Sequence, residues 1–156
     1  MQLSLFMPLI MGHGGNTGAQ ACSAVLRALA LRQVSWRDVT SVVSKEARAG
    51  VVMGALIGFL TLLAAVVWPA VSNQVGVVVA ISLPIISLWA NGLGALLTLA
   101  CSRLHADPAV TAVPLMTTIV DCTGIVVYFY VAQIVMGVNG GVPHAVPHAA
   151  GHKVRS

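Results

Sequence analysis

Four long apolar stretches alternate with shorter polar segments along the chain, over about residues 3–26, 49–71, 75–101 and 109–138. Each reaches the roughly 20 residues that an α-helix needs to cross about 30 Å of hydrocarbon. The first stretch has no positively charged segment before it, which favours a permanent span over a cleaved leader. The pattern predicts an all-α membrane protein, a bundle of four transmembrane helices.

Composition supports lipid as the solvent of these stretches. Of the 156 residues, 58% are hydrophobic and only 8% are charged, and the mean hydropathy is +0.92. A soluble domain usually carries about 25% charged residues. Aromatic residues make up 5% of the chain and do not alternate with basic ones, so nucleic acid is not expected as a partner.

The basic residues are concentrated between the first two stretches. Five of the eight lie there, namely Arg27, Arg32, Arg37, Lys45 and Arg48. The positive-inside rule therefore places residues 27–48 in the cytoplasm and the C-terminal tail outside, in a multi-pass protein of the cell membrane. Within this loop, Ser35 followed by Asp38 resembles a helix N-cap. Residues 139–156 are rich in Gly, Pro and His and are predicted to be disordered.

Asp121 is the only acidic residue inside any predicted span. A carboxylate within the membrane costs about 2.5 to 3.5 kcal/mol on insertion scales and usually faces a cavity or an ion. A protonated Asp that caps a helix break is the alternative. Thr117 and Gly124 share the helix face of Asp121, and Pro114 lies on the same stripe. Oxygen ligands with one carboxylate suit a hard cation such as Mg²⁺ or Ca²⁺.

The segment Gly12–Gly18 holds four glycines together with Asn16 and Thr17, which are poor material for a continuous helix. The sequence therefore predicts a Gly-rich break in the first span. Irregular backbone at membrane depth can line a cavity, where its carbonyls face a cation. Close helix packing through glycine is the alternative interpretation.

Small residues also recur at helical spacing in the second and third spans. Gly50, Gly54 and Gly58 form a ladder that is typical of a packing face. In the third span Ser87, Asn91, Gly94 and Thr98 form a polar stripe that favours helix packing over pore lining. The sequence contains no paired carboxylates, no nucleophile triad and no phosphate-binding loop, so we do not expect an enzyme.

Several of these elements together resemble the membrane domain of the MgtE-type magnesium channels. They are Pro8 to Gln20 (PLIMGHGGNTGAQ), Arg27 to Ala30 (RALA), Lys45-Glu46, Asp107 to Ala109 (DPA) and Pro114 to Gly124 (PLMTTIVDCTG). They follow the order and spacing of the family and cover about residues 5 to 138. The GGNTGxQ and DxTG elements make the match specific.

The resemblance implies a homodimer with a cation pore along the subunit interface, lined by the first and fourth spans of this chain. It implies that Mg²⁺, the transported ion, is held chiefly by Asp121 of both subunits, with Gly12, Gly15 and Thr117 assisting. Further pore-lining positions are Asn16, Thr17, Ala19, Pro114 and Gly124. Ala19 stands where the family often has Asn, so one polar contact is absent.

The family also has a further span ahead of the first one here and cytoplasmic N and CBS domains, for which the sequence shows no counterpart. The expected function is a divalent-cation channel or transporter that prefers Mg²⁺. The alternatives are transport of another divalent ion (Mn²⁺, Co²⁺ or Ni²⁺) and a non-conducting membrane subunit or fragment, in which the Gly and Ser/Asn stripes dock a partner.

Overall fold

A computed structural model describes residues 2–68 and 71–137, without the side chain of Gln2. Within these ranges every regular element is helical. They are α1 (Gln2–Leu5), α2 (Met7–Ala30), a short 3-10 helix (Trp36–Asp38), α3 (Val39–Val67), α4 (Asn73–Arg103) and α5 (Pro108–Met136). The all-α fold is thereby confirmed, whereas the tail predicted to be disordered (139–156) lies outside the described residues.

The helices extend beyond the apolar stretches at the end where the charges lie. Helix α2 runs to Ala30, and α3 already begins at Val39, ten residues before the apolar stretch at 49. Polar and basic residues can occupy helical turns outside the hydrocarbon, so hydropathy marks only the apolar part of a spanning helix.

The predicted helix start at Ser35 is confirmed as a capping box. The Ser35 Oγ accepts a hydrogen bond from the backbone N–H of Arg37 at 3.3 Å, and the Asp38 carboxylate accepts from the N–H of Ser35 at 2.9 Å. These bonds satisfy donors that a helix start leaves unpaired. The 3-10 helix then continues directly into α3.

Helix α4 is the centre of the bundle, with α2, α3 and α5 packed around it. Gly14 lies against Ile86 and Gly18 lies against Gly94, so α2 and α4 run parallel. Helices α3 and α5 run in the opposite direction. Because connections between consecutive helices are short, the C-terminal ends of α2 and α4 meet the N-terminal ends of α3 and α5 at one end of the bundle.

We call this end the charged end. It carries every Lys and Arg of the described residues, which are Arg27, Arg32, Arg37, Lys45, Arg48 and Arg103. Among the described residues, Asp121 is the only charged side chain outside it, because Asp38, Glu46 and Asp107 also lie there. The basic residues that the sequence placed in the loops on one side thus lie together at one end of the folded bundle.

Three of the four long helices are long and apolar enough to cross a membrane. They are α3, together with the 3-10 turn before it, α4 and α5. Helix α2 has 24 residues but falls outside this set among the described helices, because one of its faces carries glycines, Asn16 and Gln20. Helix α2 packs on α4 and α5.

The predicted Gly-rich break in the first span is wrong, because α2 is one continuous helix from Met7 to Ala30 through all of Gly12–Gly18. Backbone groups away from water must pair with each other, which favours the helix despite the low propensity of glycine. The Thr17 hydroxyl also donates hydrogen bonds to the carbonyls of His13 and Gly14, at 3.1 and 3.2 Å. The chain departs from regular helix at Phe6, ahead of Pro8.

Candidate cation site

An open groove of about 380 Å³ lies between α2 and α5 near the middle of the bundle. We call it the α2–α5 groove. It is lined by Met11, Gly12, Gly15, Asn16, Ala19, Val113, Thr117 and Asp121. The structure thus brings together all four residues that the sequence proposed as metal ligands, with two of the proposed pore-lining residues, Asn16 and Ala19.

Helix geometry explains why these side chains meet. Thr117 and Asp121 are four residues apart on α5 and therefore lie on one face. Gly12, Gly15 and Asn16 share a face of α2 by the same spacing. A Cβ placed on Gly15 would lie 3.7 Å from Thr117 Cγ2, which is ordinary van der Waals contact. The absence of side chains at Gly12 and Gly15 keeps this part of the groove open.

Asp121 is partly buried on the groove wall. Within the described part of the chain, its carboxylate neither accepts a hydrogen bond nor forms an ion pair. Thr117 donates its hydroxyl to the carbonyl of Pro114 at 3.0 Å, so the lone pairs of its oxygen remain available. The groove therefore presents one unpaired carboxylate and one hydroxyl oxygen to whatever enters it.

Three residues predicted to line the pore do not line this groove. Thr17 is buried, 2% exposed, on the side of α2 that faces the bundle. Gly124 is buried beside Ile86. A Cβ placed on Gly124 would lie 3.7 Å from Ile86 Cγ2. Pro114 is exposed on α5, and its carbonyl accepts the hydroxyls of Thr117 and Thr118. In this single chain, only Thr117 and Asp121 of the α5 stripe reach the groove.

Met11 and Val113 line the groove but were missed from the sequence, because single apolar residues in a span carry no distinguishing signal. His13 on α2 is partly buried, and its Nε2 lies 2.8 Å from the Oγ of Ser87 on α4. The Ser87 hydroxyl lies 2.7 Å from the carbonyl of Leu83, and in the tautomer with a proton on Nε2, His13 donates to Ser87 while Ser87 donates to Leu83. This hydrogen bond joins α2 to α4 at the residue next to Gly12, which lines the α2–α5 groove.

The small residues of α3 and α4 form the tightest contacts of the bundle. A Cβ on Gly54 would lie 2.6 Å from the carbonyl oxygen of Leu83, and one on Gly58 would lie 2.7 Å from that of Ala80. A Cβ on Gly50 would lie closest to the carbonyl oxygen of Ser87 and 3.0 Å from the Cβ of Asn91. Asn91 is 2% exposed, and its Oδ1 has no partner within the described residues. These positions place the α3 glycines and Asn91 inside a helix contact.

A second open groove of about 670 Å³ continues from the first toward the charged end. It shares Asn16 and Ala19 with the α2–α5 groove and is further lined by Gln20, Ser23, Ala24 and Arg27. We call it the exit groove. Together the two grooves form a path along one face of α2.

The donor set of the α2–α5 groove suits only one class of metal. Among residues 2–68 and 71–137, no group of three or more His, Cys, Asp or Glu side chains could chelate an ion. Soft transition metals prefer imidazole and thiolate ligands, whereas hard cations accept carboxylate, hydroxyl and water oxygens. With a single carboxylate from one chain, the groove is better suited to a hard cation that keeps part of its water shell.

Comparison with known proteins gives a consistent result. Residues 7–131 match the sequence model of the MgtE family, described as divalent cation transporter. The chain is similar to the magnesium transporter MgtE of Thermus thermophilus, with 38% identity over 137 residues, and to that of Enterococcus faecalis, with 30% over 134 residues. The MgtE of Bacillus subtilis is 29% identical over 130 residues. These alignments cover 83 to 86% of the chain but only 29% of each relative's length.

Proposed function

The chain belongs to the MgtE family of divalent cation transporters, and from this premise we propose that it moves Mg²⁺ across the membrane through a pore at a homodimer interface. The family assignment confirms the resemblance drawn from the sequence motifs. The observation that carries the proposal is the α2–α5 groove, in which Asp121 and Thr117 face Gly12, Gly15 and Asn16.

The chemistry of the groove supports Mg²⁺ as the transported ion. Mg²⁺ gives up its water reluctantly and is usually bound by one or two carboxylates while several waters remain. Asp121 supplies the charge, and the open space at Gly12 and Gly15 leaves room for water between ion and helix. We assign Asp121 as the principal ligand, with Thr117 and the backbone of Gly12 and Gly15 around it.

The open side of the groove supports a second copy of the chain as its other wall. Gly12 and Asn16 on α2 are exposed in the single chain, as is Cys122 beside Asp121 on α5. A second copy related by a twofold axis would bring a second Asp121 to the same ion. Two carboxylates would then balance the two positive charges of Mg²⁺.

The distribution of charge supports the orientation that the sequence predicted. We propose that the charged end faces the cytoplasm of a cell membrane, since basic residues flanking spans are retained on that side. The family is a transporter family, and we accordingly propose no enzymatic activity for this chain.

Flux into liposomes tests the proposal directly. The purified chain is reconstituted with a Mg²⁺-sensitive dye inside, and uptake is started by external Mg²⁺ at an inside-negative potential. We expect Asp121→Asn to lower uptake by about a hundredfold, because the attraction of two carboxylates for a divalent ion amounts to about 3 kcal/mol even in a water-like medium. Uptake by Asp121→Asn at the rate of the parent would refute the site assignment.

The matched control is Asp107→Asn. Asp107 caps α5 by accepting a hydrogen bond from the N–H of Ala109 at 2.9 Å, and Asn can cap in the same way. Uptake by this variant should equal that of the parent. Competition by Mn²⁺, Co²⁺ and Ni²⁺ in the same assay establishes which divalent ion is preferred. A parent protein without any flux would instead favour a non-conducting membrane subunit.

A further inference from the structure

The exit groove ends at a positive charge. Arg27 is its only charged lining residue, and Asp121 is the only one in the α2–α5 groove. Arg27 follows Asn16, which lines both grooves, by eleven residues of continuous helix. At a rise of 1.5 Å per residue, this places it about 16 Å farther along α2. A cation that leaves Asp121 along this path approaches Arg27 before it reaches bulk solvent at the charged end.

The charge of Arg27 is not neutralised by the described part of the chain. No side chain of residues 2–68 and 71–137 forms an ion pair with it within 4 Å. Arg27 also lines a neighbouring cavity of about 440 Å³ together with Asp38, Lys45 and Glu46. The carboxylate of Asp38 is bound to Ser35 within its own turn, and Glu46 forms no ion pair with Arg27 within 4 Å. Arg27 is therefore a cation without an ion-pair partner in the described part of the chain, at the end of the exit groove.

We propose that Arg27 is an electrostatic barrier at the end of the cation path, which slows divalent ions as they pass between the α2–α5 groove and the charged end. This inference rests on the proposed cation transport and assigns a rate-setting residue to it. Repulsion scales with the charge of the ion, so the barrier is about twice as high for Mg²⁺ as for a monovalent ion. In a homodimer, both copies of Arg27 would contribute.

A merely structural role gives a different expectation. A basic residue in the last turn of a helix interacts favourably with the helix dipole, and at a membrane boundary it anchors the span. Removing Arg27 would then lower the amount of inserted protein but would leave the flux per inserted protein unchanged. The flux per molecule, and its dependence on salt, separates the two roles.

The test uses the reconstituted full chain and the Mg²⁺ uptake assay, normalised to the amount of inserted protein. We expect Arg27→Gln to raise Mg²⁺ uptake by about threefold to tenfold at low ionic strength. The repulsion between a divalent ion and a single charge in water slows passage by about these factors at separations of about 13 Å and about 6 Å. The increase should shrink when an impermeant salt raises the ionic strength to about 0.5 M, since screening shortens the reach of the charge.

Two variants serve as controls. Arg27→Lys keeps the charge and should bring the uptake back toward that of the parent. Arg32→Gln removes a charge from the same end of the bundle at a residue that lines none of these three cavities, and it should not change uptake.

Suppose that uptake by the parent depends on Asp121 but that Arg27→Gln leaves uptake unchanged or lowers it. The proposed barrier is then overturned, while the proposed function stands. An equal increase for Arg32→Gln also overturns the barrier, because the effect would then belong to the net charge of the charged end. If the parent protein shows no Mg²⁺ uptake, the proposed function and this inference both fail.

Discussion

The two faces of α2 use glycine in opposite ways. On the face packed in the bundle, a Cβ on Gly14 would lie 2.9 Å from Ile86, and one on Gly18 would lie 2.5 Å from Met116. On the groove face, Gly12 has nothing within 4 Å of such an atom, and Gly15 meets only Thr117 at 3.7 Å. Two glycines therefore allow helices to approach each other, while the other two keep a space open. One short motif serves both purposes because the helix turns its residues to different sides.

This difference shows that a glycine-rich segment can be part of a continuous helix in a membrane bundle. The packed face holds α2 close to α4 and α5, and the His13–Ser87 hydrogen bond adds a polar contact on the same side. The groove face can then be polar without loss of helix, because the backbone hydrogen bonds are already satisfied within α2. Packing on one side thus supports an open groove on the other.

Among variants that test the two faces of α2, we expect the largest effect at the contact between α2 and α4. Gly94→Ala would place a Cβ 2.7 Å from the carbonyl oxygen of Gly18, so a backbone has to move. Overpacking of this kind should lower the free energy of unfolding by about 2 kcal/mol, measured by denaturant titration in detergent. The control is Gly92→Ala on the same helix, whose Cβ would meet Ala47 at 3.7 Å. It should be neutral or stabilising by up to about 1 kcal/mol, and equal losses for both variants would contradict the packing argument.

The next effect concerns the groove face. Gly15→Val would fill the space beside Thr117 and should lower Mg²⁺ uptake about tenfold, equivalent to about 1.4 kcal/mol, while the stability changes by less than about 1 kcal/mol. Ala55→Val on the exposed face of α3 is the control and should leave uptake unchanged. A Gly15→Val protein that unfolds easily but transports normally when folded would show that both faces of α2 serve packing.

The smallest effect is expected at the polar contact between α2 and α4. Ser87→Ala removes the acceptor of His13 Nε2 and should lower the free energy of unfolding by about 1 kcal/mol. Ser82→Ala is the matched control, because that buried hydroxyl donates only to the carbonyl of Val78 in its own helix at 2.7 Å. If both serine variants lose the same stability, the His13–Ser87 bond contributes nothing of its own.

Much of the candidate site could be predicted from the sequence. Asp121 stands out because it is the single acid in an apolar stretch, and helical spacing assigns Thr117 to its face. The family resemblance supplied Gly12 and Gly15, which the structure places in the same groove as Asp121. Arg27 was recognised only as one of several basic residues, since its position at the end of the exit groove depends on how α2 is rotated.

The sequence alone determined the number of long helices, the apolar character of three of them and the concentration of charge at one end, because these follow from composition along the chain. It could not decide whether Gly12–Gly18 breaks or continues the helix. That outcome depends on contacts with Ile86, Ala90 and Met116, which lie far away in the sequence. The tertiary structure also decided that Thr17 and Gly124 face the bundle while Asn16 and Thr117 face the groove, because a residue's side is fixed only when its helix packs against others.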